Sequence, residues 1–184
     1  LSMKTIYTLI IIMLLTTSWD VESQIISQYV ETDSGTSPKG VEIWNNTNAS
    51  IDFSATNLVI EKGVNGGTPS TDVTVDSGTL DVNEVMIIGT SDMQTTATNA
   101  GVLFVDKSFS FNGNDALVVK LDGTITDVFG TSGNDPAGGS WDGNGVSTSD
   151  QNIALLSGIT TGETAGFTDP STRFETINTS PSDI

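Results

Sequence analysis

The stretch FNGNDALVVKLDGTITDVFG, residues Phe111 to Gly130, gives the clearest indication of the fold. Two apolar runs, Ala116 to Leu121 and Ile125 to Phe129, flank the pair Asp122-Gly123. Type I′ hairpin turns favour this pair because both central residues must adopt positive φ. We therefore expect the two runs to form antiparallel strands. The candidate core residues of this hairpin are Val119, Leu121, Ile125 and Phe129.

The same kind of pattern continues along the chain from Gln24 onward. Short β-branched runs alternate with clusters of Gly, Asn, Asp, Ser and Thr, and helical periodicity is nearly absent. This pattern is typical of all-β proteins, and about eight strands fit an antiparallel two-sheet sandwich. The predicted strands are Ile25 to Val30, Gly40 to Asn45, Asn57 to Glu61, Val82 to Gly89, Val102 to Phe104, Ala116 to Leu121, Ile125 to Phe129 and Ile153 to Leu156.

The composition limits the classes of partner. The 184 residues suffice for one domain, and 6 Lys and Arg against 23 Asp and Glu give a formal net charge of −17. Nucleic-acid affinity comes largely from Lys and Arg that displace counterions, so binding to DNA or RNA is disfavoured. The same charge disfavours anionic lipid surfaces. We expect a protein or a surface polymer as the partner.

Histidine and cysteine are both absent from the sequence. Their absence excludes Ser-His-Asp catalysis, thiol nucleophiles, zinc sites built from Cys or His, and disulfides. Carboxylate chemistry and oxygen-ligated metal sites remain open. Because no pattern in the sequence places two carboxylates in one cleft, we expect a protein that is not an enzyme.

Residues 1–23 have the layout of a secretory signal peptide. Lys4 precedes an apolar run from Ile6 to Leu15, and a polar segment ending in Ser23 follows. The run has about half of the ~20 residues that a membrane-spanning helix needs. We expect a secreted, extracellular or cell-surface domain of residues 24–184 with no stable membrane span after cleavage. The alternative is an N-terminal strand or helix of the domain itself.

The segment Gly130 to Asn152 is a long connection with little strand propensity, which is uncommon unless the segment is functional or mobile. Its Trp141 either anchors the loop or forms an exposed platform, and an anchor is the commoner role. The run DGNGVSTSD has alternating polar residues, as calcium loops do, but lacks the Gly and the bidentate Glu of an EF-hand. We expect no cofactor, and calcium bound at a looser site than an EF-hand is the one alternative. Its candidate ligands are Asp135, Asp142, Asn144 and Asp150.

Three segments in this order resemble a lamin-tail-type domain of the bacterial secreted kind: VEIWNNTNASIDFSATNLVI (Val41 to Ile60), the hairpin stretch above, and NDPAGGSW (Asn134 to Trp141). That family has an E-[IL]-x-N strand end, an F-x-G-x-D-A-[IL] segment, a D-x-[FY]-G hairpin end and a D-P-G…W loop. The matching residues are Glu42, Ile43, Trp44 and Asn45; Phe111, Gly113, Asp115, Ala116 and Leu117; Asp127, Phe129 and Gly130; and Asp135, Pro136 and Trp141.

The resemblance covers most of Ile25 to Ile184 and implies an immunoglobulin-like β-sandwich. It also implies an accessory module for attachment or protein interaction, with no catalytic residue in the family pattern. Members of that family often have a basic strand at the position of Asn152 to Leu156, and this chain lacks it. Its end is consistent with a fragment of a longer protein. Two alternatives remain: a self-associating surface structural protein that uses its edge strands, and a small hydrolase dependent on carboxylates or calcium. Glycosylation sequons occur at Asn45, Asn48 and Asn178.

Overall fold

The computed structural model describes residues 23–181, and most of its regular structure is β-strand. The predicted all-β class is confirmed, and each of the eight predicted strands is present. The described residues contain fourteen strands, and the six beyond the prediction are four strands of two residues each, one of six residues and one of five. The fourteen strands are β1 (Gln24–Glu31), β2 (Lys39–Asn45), β3 (Ile51–Asp52), β4 (Leu58–Gly63), β5 (Ser70–Val75), β6 (Thr79–Leu80), β7 (Val85–Gly89), β8 (Leu103–Asp106), β9 (Ala116–Leu121), β10 (Thr124–Phe129), β11 (Asp142–Gly143), β12 (Val146–Ser147), β13 (Asn152–Leu155) and β14 (Phe174–Asn178).

Ten of the described strands form two main sheets. The larger has the order β14-β13-β1-β2-β7-β8, and the smaller has the order β10-β9-β4-β5. The short strands pair as β3-β6 and β11-β12. Buried side chains of both main sheets, such as Tyr29 and Ile43 in one and Ile60 and Val119 in the other, belong to a single hydrophobic cluster. One core therefore serves both sheets.

The predicted hairpin between β9 and β10 is confirmed. The two strands pair antiparallel, with Leu121 opposite Thr124. Between them, Asp122 has φ 47° and Gly123 has φ 77°, so both turn residues adopt the left-handed conformation that a type I′ turn requires.

The predicted core residues of the hairpin are correct except for one. Val119 and Phe129 are buried, and Leu121 packs partly buried against the core. Ile125 is 42% exposed, so its assignment to the core is wrong. The pairing register shifts between Ile125 and Asp127. Because side chains alternate along a strand, an extra residue in one strand reverses which of them face the core.

The larger sheet is not antiparallel throughout, and the prediction is wrong for its β7-β8 pair. These strands run parallel, with Ile87 opposite Phe104. Parallel neighbours need a crossover connection, which here contains a 3-10 turn (Ser91–Met93) and the helix α1 (Gln94–Ala100). The crossover packs on the outer face of the sheet, where Met93 lies close above the glycines at positions 40 and 89. The helix was not predicted because QTTATNA has no apolar periodicity.

The predicted signal peptide lies outside the described residues, except for Ser23. The Ser23 hydroxyl accepts a hydrogen bond of 3.1 Å from the Gly162 amide. Strand β1 begins at Gln24, the residue that we expect to open the mature chain. Between residues 23 and 181, no helix has both the length and the apolar character that crossing a membrane requires.

Candidate binding surface

Trp141 anchors the loop from Gly130 to Asn152, as the commoner of its two predicted roles requires. It is 2% exposed, and its ring packs edge-on against Phe167 with 6.4 Å between centroids. A Cβ placed on Gly130 would lie 2.5 Å from the indole carbons, so only glycine permits this packing. The Trp141 amide donates to Thr148 Oγ1 at 3.0 Å. Trp141 therefore ties this largely exposed loop to the core.

The structure does not bring the calcium candidates of this loop together. No three acidic side chains in residues 23–181 are placed to hold a metal ion, so calcium binding stays a prediction. Asn144 and Asp150 have positive φ values of 49° and 56°, which Asn and Asp tolerate, so backbone geometry explains both residue types. Hydrogen bonds join Asp135 to Asn114, Asp142 to Ser140, Asn144 to Ser171, and the Asp150 amide to Glu31.

Asp127 of β10 is bound both to Arg173, in a buried ion pair, and to the backbone of β1 in the other main sheet. Asp127 Oδ1 lies 2.8 Å from an Arg173 guanidinium nitrogen and also accepts from the Glu163 amide at 2.8 Å. Asp127 Oδ2 accepts from the Ile26 amide in β1 at 2.9 Å. Because β1 pairs with β13 only from Gln28 to Val30, the Ile26 amide lies beyond that ladder and is free to bond Asp127. Asp127 is thus a structural residue.

A second buried ion pair lies between Glu31 and Lys39, on adjacent strands. The Lys39 ammonium is 2.7 Å from Glu31 Oε1 and also donates to the Phe111 carbonyl. The other Glu31 oxygen accepts from the Asp150 amide at 2.6 Å. Both side chains are less than 10% exposed. This network fixes the ends of two loops to the larger sheet, and it satisfies the charges that it buries.

Tyr29 is fully buried beside this network. Its ring stacks on Phe111 and Phe129, with centroids 4.8 and 4.3 Å away. Burial raises the pKa of the Tyr29 phenol well above its usual value of 10.0, and the carboxylate of Glu31 adds to this effect. The phenol therefore stays protonated at neutral pH and cannot serve there as a general base.

A concave region of about 690 Å³ lies beside the start of β2. Most of its lining side chains bear hydroxyl groups, and its one lining aromatic, Phe109, is 4% exposed. The Lys39 ammonium at this cleft is already paired with Glu31. The cleft therefore offers a ligand hydrogen bonds mainly from side-chain hydroxyl groups. Its hydroxyl-bearing residues are Thr36, Ser37, Thr90, Ser91, Ser108 and Ser110.

A second concave region, which we call the outer groove, runs along the outer face of the larger sheet. It consists of two adjoining cavities of about 310 and 350 Å³ between α1 and the segment 155–160. Side chains alternate along β2, so Val41 and Ile43 face the core while Glu42 and Trp44 face outward. The floor of the outer groove includes Gln28, Glu42, Trp44, Val85, Ile87 and Asn152.

Glu42 is the only charged residue among the described side chains that line the outer groove, and it lines both cavities. Its Oε1 accepts a 2.7 Å hydrogen bond from the Ser27 hydroxyl. Nearby, Gln28 Nε2 donates to Asn152 Oδ1 at 2.8 Å. Trp44 is half-buried and lies opposite Val85 of β7. The outer groove thus combines apolar walls, one aromatic ring and one carboxylate.

Sequence reasoning did not predict the outer groove. It identified Glu42 and Trp44 only as members of the E-[IL]-x-N pattern. The signal that could have indicated the surface is the alternation in VEIWN, because it places an acid and a tryptophan on the face opposite Val41 and Ile43. The walls come from residues about fifty or more positions farther along the chain, and local patterns do not show such proximity.

Comparison with known proteins identifies no relative of this chain. It matches no family model, and neither the curated proteins nor the solved structures contain a significant match. The lamin-tail resemblance therefore stays a prediction that depends on the ordered motifs alone.

Proposed function

We propose that this protein is a secreted, non-catalytic module that attaches to another exported protein or to a surface polymer. The outer groove is the observation that supports the proposal most directly. It is concave and largely apolar, with a few placed polar groups, as ligand-binding surfaces commonly are. Its described lining residues include hydroxyls but no His or Lys that could activate them, and its one carboxylate, Glu42, accepts a hydrogen bond from the Ser27 hydroxyl.

The proposal includes an immunoglobulin-like sandwich of lamin-tail type, with the two main sheets as its layers. Several residues of the family pattern have structural roles that support this interpretation. Asn45 is fully buried, and its amide nitrogen donates to the carbonyls of Ala49, Leu80 and Asp81 at 3.0, 3.0 and 3.1 Å. Asp127 connects the sheets by accepting a hydrogen bond from the Ile26 amide, and its charge is paired with Arg173. These residues stabilise the domain, and the outer groove stays accessible to a partner.

Secretion is part of the proposal and has its own test. The layout of residues 1–23 and the start of β1 at Gln24 support it. Mass spectrometry of the protein from the cells that produce it should find a chain that begins at or near Gln24. An intact N-terminus on a protein inside the cell would contradict secretion.

The non-catalytic part of the proposal is tested with the purified exported protein. Phosphodiester and glycosidic substrates should not be turned over, because the described buried carboxylates are held by ion pairs and amides. Turnover that Asp135→Asn or Asp142→Asn abolishes would favour the hydrolase alternative and contradict the proposal.

A further inference from the structure

We infer that the outer groove binds a basic segment of a protein partner, with an arginine or lysine side chain paired to Glu42 and packed against Trp44. The inference depends on the proposed function and specifies both the site of attachment and the chemical class of the partner. The next four observations support it.

The first observation is the placement of Glu42 and Trp44 on one face. They are two residues apart in β2, so both side chains project from the outer face of the larger sheet. Ile87 lies opposite Glu42, and Val85 lies opposite Trp44, on the neighbouring strand β7. A cation that pairs with the Glu42 carboxylate is therefore within reach of the Trp44 ring, and arginine is the cation found most often over such rings.

The second observation is that the described part of the chain supplies no cation to Glu42. Its side chain contacts only the Ser27 hydroxyl in the hydrogen bonds of residues 23–181. Each described Lys or Arg has another polar partner. These pairs are Lys39 with Glu31, Lys107 with Asp72, Lys120 with Glu61, Arg173 with Asp127, and Lys62 with Ser110.

The third support is the free-energy cost of covering the Glu42 carboxylate with a partner. A partner that fills the outer groove removes water from Glu42, and an ionised carboxylate without a counter-charge is strongly penalised in such a setting. A partner with a cation at this point avoids that penalty, whereas an acidic or purely apolar partner does not. The carboxylate therefore selects among partners that fit the groove by shape.

The fourth observation is the apolar surface around the carboxylate. The walls and floor offer aliphatic side chains on both sides of Glu42, against which the methylene groups of a long basic side chain can pack. Arginine fits better than lysine because its planar guanidinium both stacks on an aromatic ring and pairs with a carboxylate. The formal charge of −17 also attracts basic partners from a distance. The partly exposed aliphatic residues are Val85, Ile87, Val102, Leu155 and Ile159.

The test is an NMR titration of the isotope-labelled exported protein with the capped tripeptide acetyl-Gly-Arg-Gly-amide. The matched neutral probe is the same peptide with citrulline, which keeps the shape of arginine without its charge. We expect the arginine peptide to shift the Trp44 indole signal and the amide signals of Glu42 and Ile87. The buried Trp141 should not respond, and the citrulline peptide should bind more weakly.

Matched variants show whether the carboxylate at this position matters. We expect Glu42→Gln to weaken arginine-peptide binding by about tenfold or more, as for the loss of a charged hydrogen bond. Glu84→Gln removes the same charge from an exposed site outside the groove lining and should change binding by less than about twofold. Trp44→Leu, which keeps apolar volume but removes the ring, should also weaken binding, so the test does not depend on one variant.

Several outcomes would overturn the inference. Equal effects of Glu42→Gln and Glu84→Gln would show general charge attraction instead of a site. Shifts at Trp44 with chitotetraose but none with the arginine peptide would assign the groove to a neutral glycan. If the groove variants lose no binding but the protein still attaches to an exported partner, only the inference fails. If the native protein attaches to no exported protein or surface, the proposed function fails as well.

Discussion

The carboxylate of Asp127 and the guanidinium of Arg173 lie 2.8 Å apart, and each side chain is less than 10% exposed. Asp127 also accepts hydrogen bonds from the Ile26 amide in β1 and from the Glu163 amide in the segment after β13. One side chain in β10 therefore contacts β1, that segment and Arg173. Removing one member of such a pair leaves the other as an uncompensated buried charge.

We therefore expect Asp127→Asn to reduce the free energy of unfolding by about 3–5 kcal/mol. Urea unfolding followed by circular dichroism measures the change. The control is Asp122→Asn, which changes an exposed acid at a turn position where Asn also tolerates positive φ. Its effect should stay within about 0.5 kcal/mol. Similar losses in both variants would mean that the buried Asp127 carboxylate does not hold these parts of the fold together.

A second prediction concerns the packing of Trp141 on Gly130. We expect Gly130→Ala to lower the free energy of unfolding by more than about 2 kcal/mol, because it combines positive φ with a clash in the core. Gly133→Ala is the matched control, since Gly133 has a similar φ of 78° but no atom within 4 Å of a Cβ. Gly133→Ala should lower the free energy of unfolding only through the cost of the positive φ, by about 1 kcal/mol. Equal losses in urea unfolding would contradict the anchoring role of Trp141.

A third prediction separates two neighbouring sequons. Asn45→Asp replaces a buried donor that faces three carbonyls with an acceptor, so we expect a loss of about 3 kcal/mol or more in thermal or urea unfolding. Asn48→Asp alters an exposed side chain and should have little effect. The same burial means that a glycan on Asn45 is incompatible with the fold, whereas Asn48 can accept one. A folded protein with glycosylated Asn45 would refute this account.

Tyr29 gives a prediction about alkaline pH. Its folded-state pKa is raised above 10.0, so between the unfolded and folded values the native state holds the phenol proton more tightly. Stability should therefore fall as the pH rises above about 10. Of the two tyrosines, Tyr7 lies in the predicted signal peptide. The phenolate absorbance of the predicted exported protein therefore comes from Tyr29 alone. Phenolate absorbance should appear together with unfolding, and a titration near pH 10 with the fold intact would contradict the buried environment.

The part of the fold that was predictable is the part with local signals. Asp122 and Gly123 specify their turn through φ, and alternation identifies the strands on both sides of it. Ile125 was misplaced because a register shift depends on pairing with the partner strand, which a single run of sequence does not reveal. The parallel direction of β8 was not predicted because a crossover helix is what permits parallel neighbours, and the helix α1 has no apolar stripe by which the sequence could reveal it.

The outer groove was not predictable because its parts are distant in the sequence. Glu42 and Trp44 are adjacent on their face by alternation, and that much follows from β2 alone. Met93 and Ile159 become walls only through the crossover and through the segment after β13. The lack of a described cation beside Glu42 likewise depends on where each Lys and Arg side chain lies in the folded chain.

The most direct test of the central claim measures attachment through the outer groove. The labelled exported protein, its Glu42→Gln/Trp44→Leu double variant and the Glu84→Gln control are incubated with the washed surface fraction of the cells that produce the protein. We expect the native protein and the control to bind with similar affinity and the double variant to lose most of its binding. Cooperative thermal unfolding of the double variant should show that it is still folded. Equal binding of all three proteins would contradict the claim that the outer groove is the attachment site.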